Sequence, residues 1–331
     1  MTSPLLLLAA EAGGFEAQIQ KVANFIWLQP EWLNVWLMPL YQGGLATAFL
    51  VGWILLIKAF QPKISAVALT TAKEALLQPL FFLLLGVGLF LLVLFQYLPY
   101  NTFGEDVKVV KDNSLTLIMV LGILLALWTA SVSISDEIEG RTAVTLLSKP
   151  ISRRHFVFGK LWGIVIPVAI FFIILGTVFL WLLAYKIGYD ARENASAPPD
   201  DLTRLQETVQ VIPGLVLAFM EAVVFTAISV AISTRLPMLP NLIICFFIYL
   251  LGHLVPTLVV AAGQDIPLVG FVGNLIATLL PNLETFNITE AVATDTHVPL
   301  VYLLAAAVYC LFYTAACTLL ALIMFEDRDL A

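Results

Sequence analysis

Hydrophobic positions along this chain gather into seven long runs, at residues 44–60, 79–98, 115–134, 161–185, 212–233, 241–261 and 300–325. Each approaches the roughly 20 apolar residues that an α-helix needs to cross about 30 Å of hydrocarbon. The pattern predicts an all-α polytopic membrane protein with about seven transmembrane helices. An eighth apolar stretch, 268–280, is too short to cross, and Gly270, Gly273 and Asn274 interrupt it. It is expected to form a short re-entrant or interfacial helix on the extracytoplasmic side.

The segments between the runs carry their own periodicities. In residues 62–78, Ile64, Val67, Ala68, Ala75 and Leu76 recur at helical spacing, with Lys63, Thr70, Lys73 and Glu74 opposite. That spacing predicts an amphipathic connecting helix lying on the membrane surface. Residues 1–44 mix polar groups with Phe25, Trp27, Trp32, Trp36 and Tyr41. Tryptophan and tyrosine prefer the headgroup layer, so this strip reads as interfacial. Residues 1–60, the strip and the first span, form one division of the chain, and residues 61–331 the main transmembrane domain. Pro167 is expected to kink the fourth span. Residues 186–210 read as a polar loop with a short helix after Asp200-Asp201, and residues 234–240 as a tight turn.

Charge is concentrated in one place. Asp136, Glu137, Glu139, Arg141, Lys149, Arg153, Arg154 and Lys160 fall between the third and fourth runs, and Gly140 and Pro150 bracket about two turns of a short helix there. With this loop inside and seven spans, the N-terminus is outside and the C-terminus cytoplasmic. Inside segments then hold ten of the 16 Lys/Arg and outside segments six, the bias expected of a plasma (inner) membrane protein.

Composition narrows the function. The chain has 61% hydrophobic and 12% charged residues and a mean hydropathy of +0.98, against about 25% charged in soluble domains. A net charge of −7 argues against nucleic-acid binding, which wants a basic face. Cys245, Cys310 and Cys317 lie in apolar runs without His or carboxylate at ligand spacing, and read as small buried hydrophobes rather than metal ligands. No basic n-region precedes the short apolar stretch 5–10, so no cleaved signal peptide is expected. No phosphate-binding glycine loop, zinc motif or Ser/His/Asp set is present, so neither catalysis nor a cofactor is expected in this chain.

The residues of the charged loop also carry a resemblance. Glu139-Gly140-Arg141-Thr142, Leu146-Leu147-Ser148-Lys149-Pro150, Ser152-Arg153 and Gly159-Lys160 resemble the loop of ABC-2 type transporter permeases, more narrowly the group associated with multicopper-enzyme maturation and related exports. Weaker echoes occur at Lys73-Glu74, at Gln78-Pro79 and in the tail 325–330. The resemblance implies a six-span core plus one added N-terminal span, and a cytoplasmic coupling helix docking on a separate ATPase subunit. ATP and Mg would bind in that partner, and the permease would work as a homodimer or with a second permease. Leu146 and Leu147 would supply apolar contact, and Glu139 would sit at the dipole of the coupling helix. Gly140 would allow its sharp entry, and Ser152 would cap the next helix. Arg153 and Arg154 would face ATPase carboxylates or anionic lipid.

Two ionisable residues lie inside spans, Glu221 in the fifth and His253 in the sixth. Counting about 1.5 Å per residue from the outer ends puts them at matching depth, so a hydrogen-bonded pair is geometrically possible. They read as a helix–helix contact or as the lining of a transport path. They are also what an ion-coupled secondary transporter would use, the main rival class. A further rival is a scaffold for an extracytoplasmic enzyme.

Overall fold

Proline sets the first boundaries of the bundle. In the computed structural model, α1 (Glu31–Phe60) is followed by Gln61, α2 (Pro62–Leu77) opens on Pro62, and α3 (Pro79–Tyr97) opens on Pro79. Gln78 between them has φ −66° and ψ 135°, because a residue ahead of proline is kept out of helical space. Proline itself is tolerated at the first helical position, where its missing N–H has no partner to lose. The order continues with α4 (Asp106–Glu139), α5 (Arg153–Glu193), α6 (Asp201–Val209), α7 (Ile212–Ser233), α8 (Met238–Ala262), a 3-10 turn at Leu283–Phe286, and α9 (Leu300–Glu326). The structure describes residues 31–98, 100, 102, 105–139, 152–193, 200–262, 280–288, 291 and 298–326, with side chains there except at 31–34, 135–139, 202, 255–262 and 326. No strand occurs among them.

Six of these helices, α1, α3, α4, α5, α7 and α9, are long and apolar enough to cross a membrane. The seventh apolar helix, α8, has 25 residues, about 37 Å of length. The stretch 268–280 and the coupling segment 140–151 lie outside the described residues.

The bundle is laid around α5, whose residues from Phe156 to Asp190 are buried on every turn. Facing pairs fix the directions of its neighbours. Trp36 meets Trp181 at 6.1 Å between ring centroids and Trp53 meets Trp162 at 5.1 Å, so α1 runs antiparallel to α5. Asp106 reaches Lys186 and Ser133 reaches Lys160, so α4 does too. Phe219 meets Phe172 and Leu215 faces Gly176, which adds α7. By contrast, α2 and α3 run with α5: Gly159 faces Ile64 and Val67, Gly163 faces Ala68 and Thr71, and Phe81 meets Phe171. At the other side α9 runs with α7 and brings Phe325 onto Phe156. The start of α5 and the end of α9 therefore share one end of the bundle, the loop end, while the start of α1 lies at the opposite end. Large apolar side chains such as Phe49, Phe90, Phe246 and Phe312 point out of the bundle, as they can where the solvent is hydrocarbon.

Several helices outrun the apolar patterns. The first span was expected at 44–60 behind an interfacial strip, but α1 is continuous from Glu31 through Pro39. The third run, expected to start at 115, begins at Asp106. The fourth, expected at 161–185, extends to 153 and 193 as one helix of 41 residues that continues through Pro167. The charges that looked like loop residues are paired instead. Lys111 is 2% exposed and bonds Glu207 of α6, Lys186 is equally buried with its Nζ 3.9 Å from Asp106, and Lys186 also lies 5.4 Å over the Tyr189 ring. The short helix after Asp200 forms as expected, with the Asp200 carboxylate accepting the Asp201 N–H at 2.9 Å.

The amphipathic helix α2 exposes Lys63, Thr70, Lys73 and Glu74 as its periodicity predicts. Its buried face is made of small residues, Ser65, Ala68, Thr71, Ala72 and Ala75, laid on α5 rather than only on the membrane surface. The approach is close: a Cβ at Gly159 would lie 2.6 Å from Val67 Cβ, and one at Gly163 would lie 2.6 Å from Thr71 Cβ and 2.9 Å from the Ala68 carbonyl oxygen. Small residues allow such contact between membrane helices. We expect Gly163→Ala to push α2 off α5 and cost about 1–3 kcal/mol, seen as a lower Tm of the purified protein. Gly86→Ala, where a Cβ meets nothing within 4 Å, should leave Tm unchanged. Equal melting of the two variants would contradict the packing.

Candidate coupling end and buried polar sites

Of the residues singled out at the loop, Gly140, Arg141, Thr142, Leu146, Leu147 and Pro150 lie outside the described residues. Glu139 is the last residue of α4, and only its backbone is described. Ser152 precedes α5, where its carbonyl accepts the Phe156 N–H at 3.2 Å and its hydroxyl contacts His155 Nδ1. The two arginines that follow part company. Arg154 is exposed. Arg153 is turned toward α9, where its Nη1 donates to the Phe325 carbonyl at 3.3 Å and its guanidinium lies 5.9 Å from the Phe325 ring centroid. Successive helical residues are about 100° apart, so one of two adjacent arginines can face in and the other out.

Two turns further on, Lys160 is 1% exposed. Its ammonium donates to the Ser133 hydroxyl at 2.9 Å and the Ser133 carbonyl at 3.2 Å, and lies 5.8 Å over the Phe156 ring. Around it an apolar cluster joins four helices: Ala130 and Ile134 of α4, Phe156 and Leu161 of α5, Ala231 of α7, and Ala321 and Phe325 of α9. Sequence placed Lys160 in a solvated loop. The structure makes it part of the core, because Ser133 of the antiparallel helix supplies its acceptors.

Glu221 and His253 do meet. Glu221 is 1% exposed, and its Oε1 lies 3.9 Å from His253 Nε2. His253 Nδ1 is 3.2 Å from the Tyr249 carbonyl, and the two rings are 4.7 Å apart. The depth count from the helix ends therefore holds. The contact is a long polar approach rather than a direct hydrogen bond, which needs about 3 Å. Oε1 has no hydrogen-bond partner among the described residues. The nearby 3-10 turn is pinned by α9, with the Tyr309 hydroxyl accepting the Asn282 N–H and the Tyr302 hydroxyl donating to the Thr285 carbonyl, both at 2.8 Å.

A third polar site went unread. Asn241, fully buried in the first turn of α8, contacts three hydroxyls through Nδ2: Ser131 at 2.7 Å, Ser229 at 2.8 Å and Ser233 at 2.7 Å. The Cys245 thiol donates to its Oδ1 at 3.3 Å. One amide thus ties α4, α7 and α8 together. The available signal was the four-residue spacing of Ser229 and Ser233, which puts both on one helix face. Cys245 and Cys310 are buried and make weak thiol bonds within the bundle.

Residues 91–330, from the second half of α3 to beyond the end of α9, match the family described as ABC-2 family transporter proteins. The chain belongs to the ABC-2 transporter family. No curated protein matches it. As an ABC-2 permease it is a multi-pass transmembrane component of a transport system, and the sites above are features of such a permease.

Two measurements probe the polar sites. Asn241→Leu should cost the permease about 1–3 kcal/mol, because three hydroxyls lose a buried partner; an unchanged unfolding free energy in detergent would make the node dispensable. A double-mutant cycle of Glu221→Ala with His253→Ala should give a coupling of roughly 0.6–1.7 kcal/mol, the range of polar contacts between membrane helices. Additive losses would leave the pair neighbours by packing alone.

Proposed function

We propose that this chain is the membrane subunit of an ATP-driven exporter, powered by a separate ATPase that docks on the part of the charged segment 136–160 that lies between α4 and α5. Family membership supports the permease part, since ABC-2 permeases typically pair with an ATPase subunit. Two permease chains, alike or different, and two ATPase chains form the working unit, and ATP with Mg binds in the ATPase. The observation that carries the reading is where the loop is rooted. It leaves α4 and enters α5 at the end where α5 is in contact with α2, α4 and α9 at once. A push on the loop there reaches the most buried helix of the bundle.

The docking contacts fall to Glu139, Gly140, Arg141, Thr142, Leu146, Leu147 and Pro150. A buried leucine contributes about 1.5–3 kcal/mol, which makes Leu146 and Leu147 the main anchors. Arg154, exposed at the start of α5, faces ATPase carboxylates or lipid headgroups. The orientation puts the loop end in the cytoplasm. Charge supports this: of the six basic residues assigned to the other side, Lys108, Lys111, Lys186 and Arg204 are each within ion-pair reach of a carboxylate.

Purified from cells, the permease should bring an ATPase with it, and Gly140→Trp with Leu147→Asp should abolish that association and transport while leaving membrane insertion intact. Normal association and transport in the double variant would remove the docking assignment. For orientation, cysteine at Arg192 should react with an impermeant thiol reagent added outside intact cells, and cysteine at Arg154 should not. The reverse labelling would overturn the topology and the coupling with it. One observation favours an ion-coupled transporter instead, namely Glu221, whose Oε1 is buried and 3.9 Å from His253. Transport that persists without ATP hydrolysis and stops with a protonophore would select that reading.

A further inference from the structure

The loop proposed to receive the ATPase ends at Pro150, and α5 begins three residues later at Arg153. That first residue is fastened to a helix 172 positions further along the chain. The fastening has three parts. Arg153 donates to the Phe325 carbonyl at 3.3 Å, its guanidinium lies 5.9 Å from the Phe325 ring, and Phe325 stacks on Phe156 of α5 at 5.3 Å with 14° between planes. Phe325 is fully buried and Phe156 is 2% exposed.

The chemistry suits a joint between moving parts. The last four carbonyls of a helix have no partner within it and carry the negative end of its dipole. Phe325 is the penultimate residue of α9, so its carbonyl is one of these, and a guanidinium satisfies both the acceptor and the dipole. A guanidinium can also donate in its plane while presenting a face to a ring, which an ammonium cannot do in the same way. Along α9, Ala321 packs in the cluster with Ala231 of α7, and the Cys310 thiol donates to the Met220 carbonyl of α7 at 3.5 Å. The opposite face of α9 is exposed at Leu304, Leu311, Phe312 and Ile323. So α9 is an outer helix whose inner face is held to α7 and whose end is held to the first turn of α5.

We propose that Arg153 and Phe325 are positioning residues that pass movement of the docking loop to α9, so that the last helix moves with the start of α5 during the ATP cycle. The proposal rests on the ATPase-driven reading above. It assigns no substrate contact to either residue. It also gives Arg153 a role different from that of Arg154, although the two are adjacent.

The test uses the full permease with its ATPase in lipid nanodiscs, the three native cysteines replaced by alanine, and spin labels at Leu239 and Ile323, both exposed at the loop end. The distance between them is measured without nucleotide and after trapping with ATP, Mg and vanadate. In the otherwise unaltered complex the distance should shift on trapping. Arg153→Ala should lose most of that shift while the complex still co-purifies and Tm stays close to the parent value, and Arg153→Lys should restore part of it. If Arg153→Ala does not assemble, Phe325→Leu, which keeps an apolar group on Phe156 but removes the ring under the guanidinium, is read in its place. A parent-sized shift in these variants overturns the link and leaves the ATPase-driven reading standing. No shift in the parent complex also overturns the link. Failure of the parent to bind any ATPase removes the ATPase-driven reading itself, and the link falls with it.

Discussion

A helix of 41 residues is about 60 Å long, roughly twice the hydrocarbon thickness of a bilayer. Lipid tails can satisfy the middle of α5 but not its charged ends, and an unpaired ammonium buried there would be costly. The rest of the bundle is arranged to meet that demand. Near one end, Ser133 of α4 accepts from Lys160. Near the other, Asp106 of the same helix lies against Lys186. Because α4 is antiparallel to α5 and nearly as long, a single neighbour serves both ends. Its own buried Lys111 then needs Glu207, which gives the short helix α6 its place.

The same pairings explain which parts of the fold could be read from the chain. Seven long helices were legible because the bilayer demands long apolar runs, and such runs are local. Their true ends were not legible. Asp106, Lys111 and Lys186 look like solvent residues until partners far away in sequence are known, so α4 and α5 were read too short. The partner of Lys111 is 96 residues away. Proline boundaries fared better, since Pro62 and Pro79 act on their immediate neighbours. For α2, periodicity found the exposed face, but the small residues opposite pointed to a helix partner that only the fold supplies.

The polar sites divide along similar lines. Glu221 and His253 could be matched because they lie on consecutive antiparallel helices joined by a tight turn, where counting from the ends is enough. Asn241 draws its hydroxyls from two earlier helices, and no count within one segment brings Ser131 to it. Arg153 and Arg154 looked equivalent in the sequence. What separates them is Phe325, and nothing near the loop hints at it.

The peripheral position of α1 bears on how the protein is made. Its tryptophans, Trp36 and Trp53, pack edge-on and tilted against Trp181 and Trp162 of α5, yet α5 leaves the ribosome long after α1. Roughly 90 residues separate the end of one from the start of the other, which at common translation speeds is about 5–20 s. During that interval α1 has to reside in the bilayer without its permanent neighbour. Its 26-residue apolar stretch, Val35–Phe60, equips it to do so, and docking can wait until α5 is inserted. Assembly of this permease is thus ordered in time by the ribosome, with an early helix stored in lipid until the central one arrives.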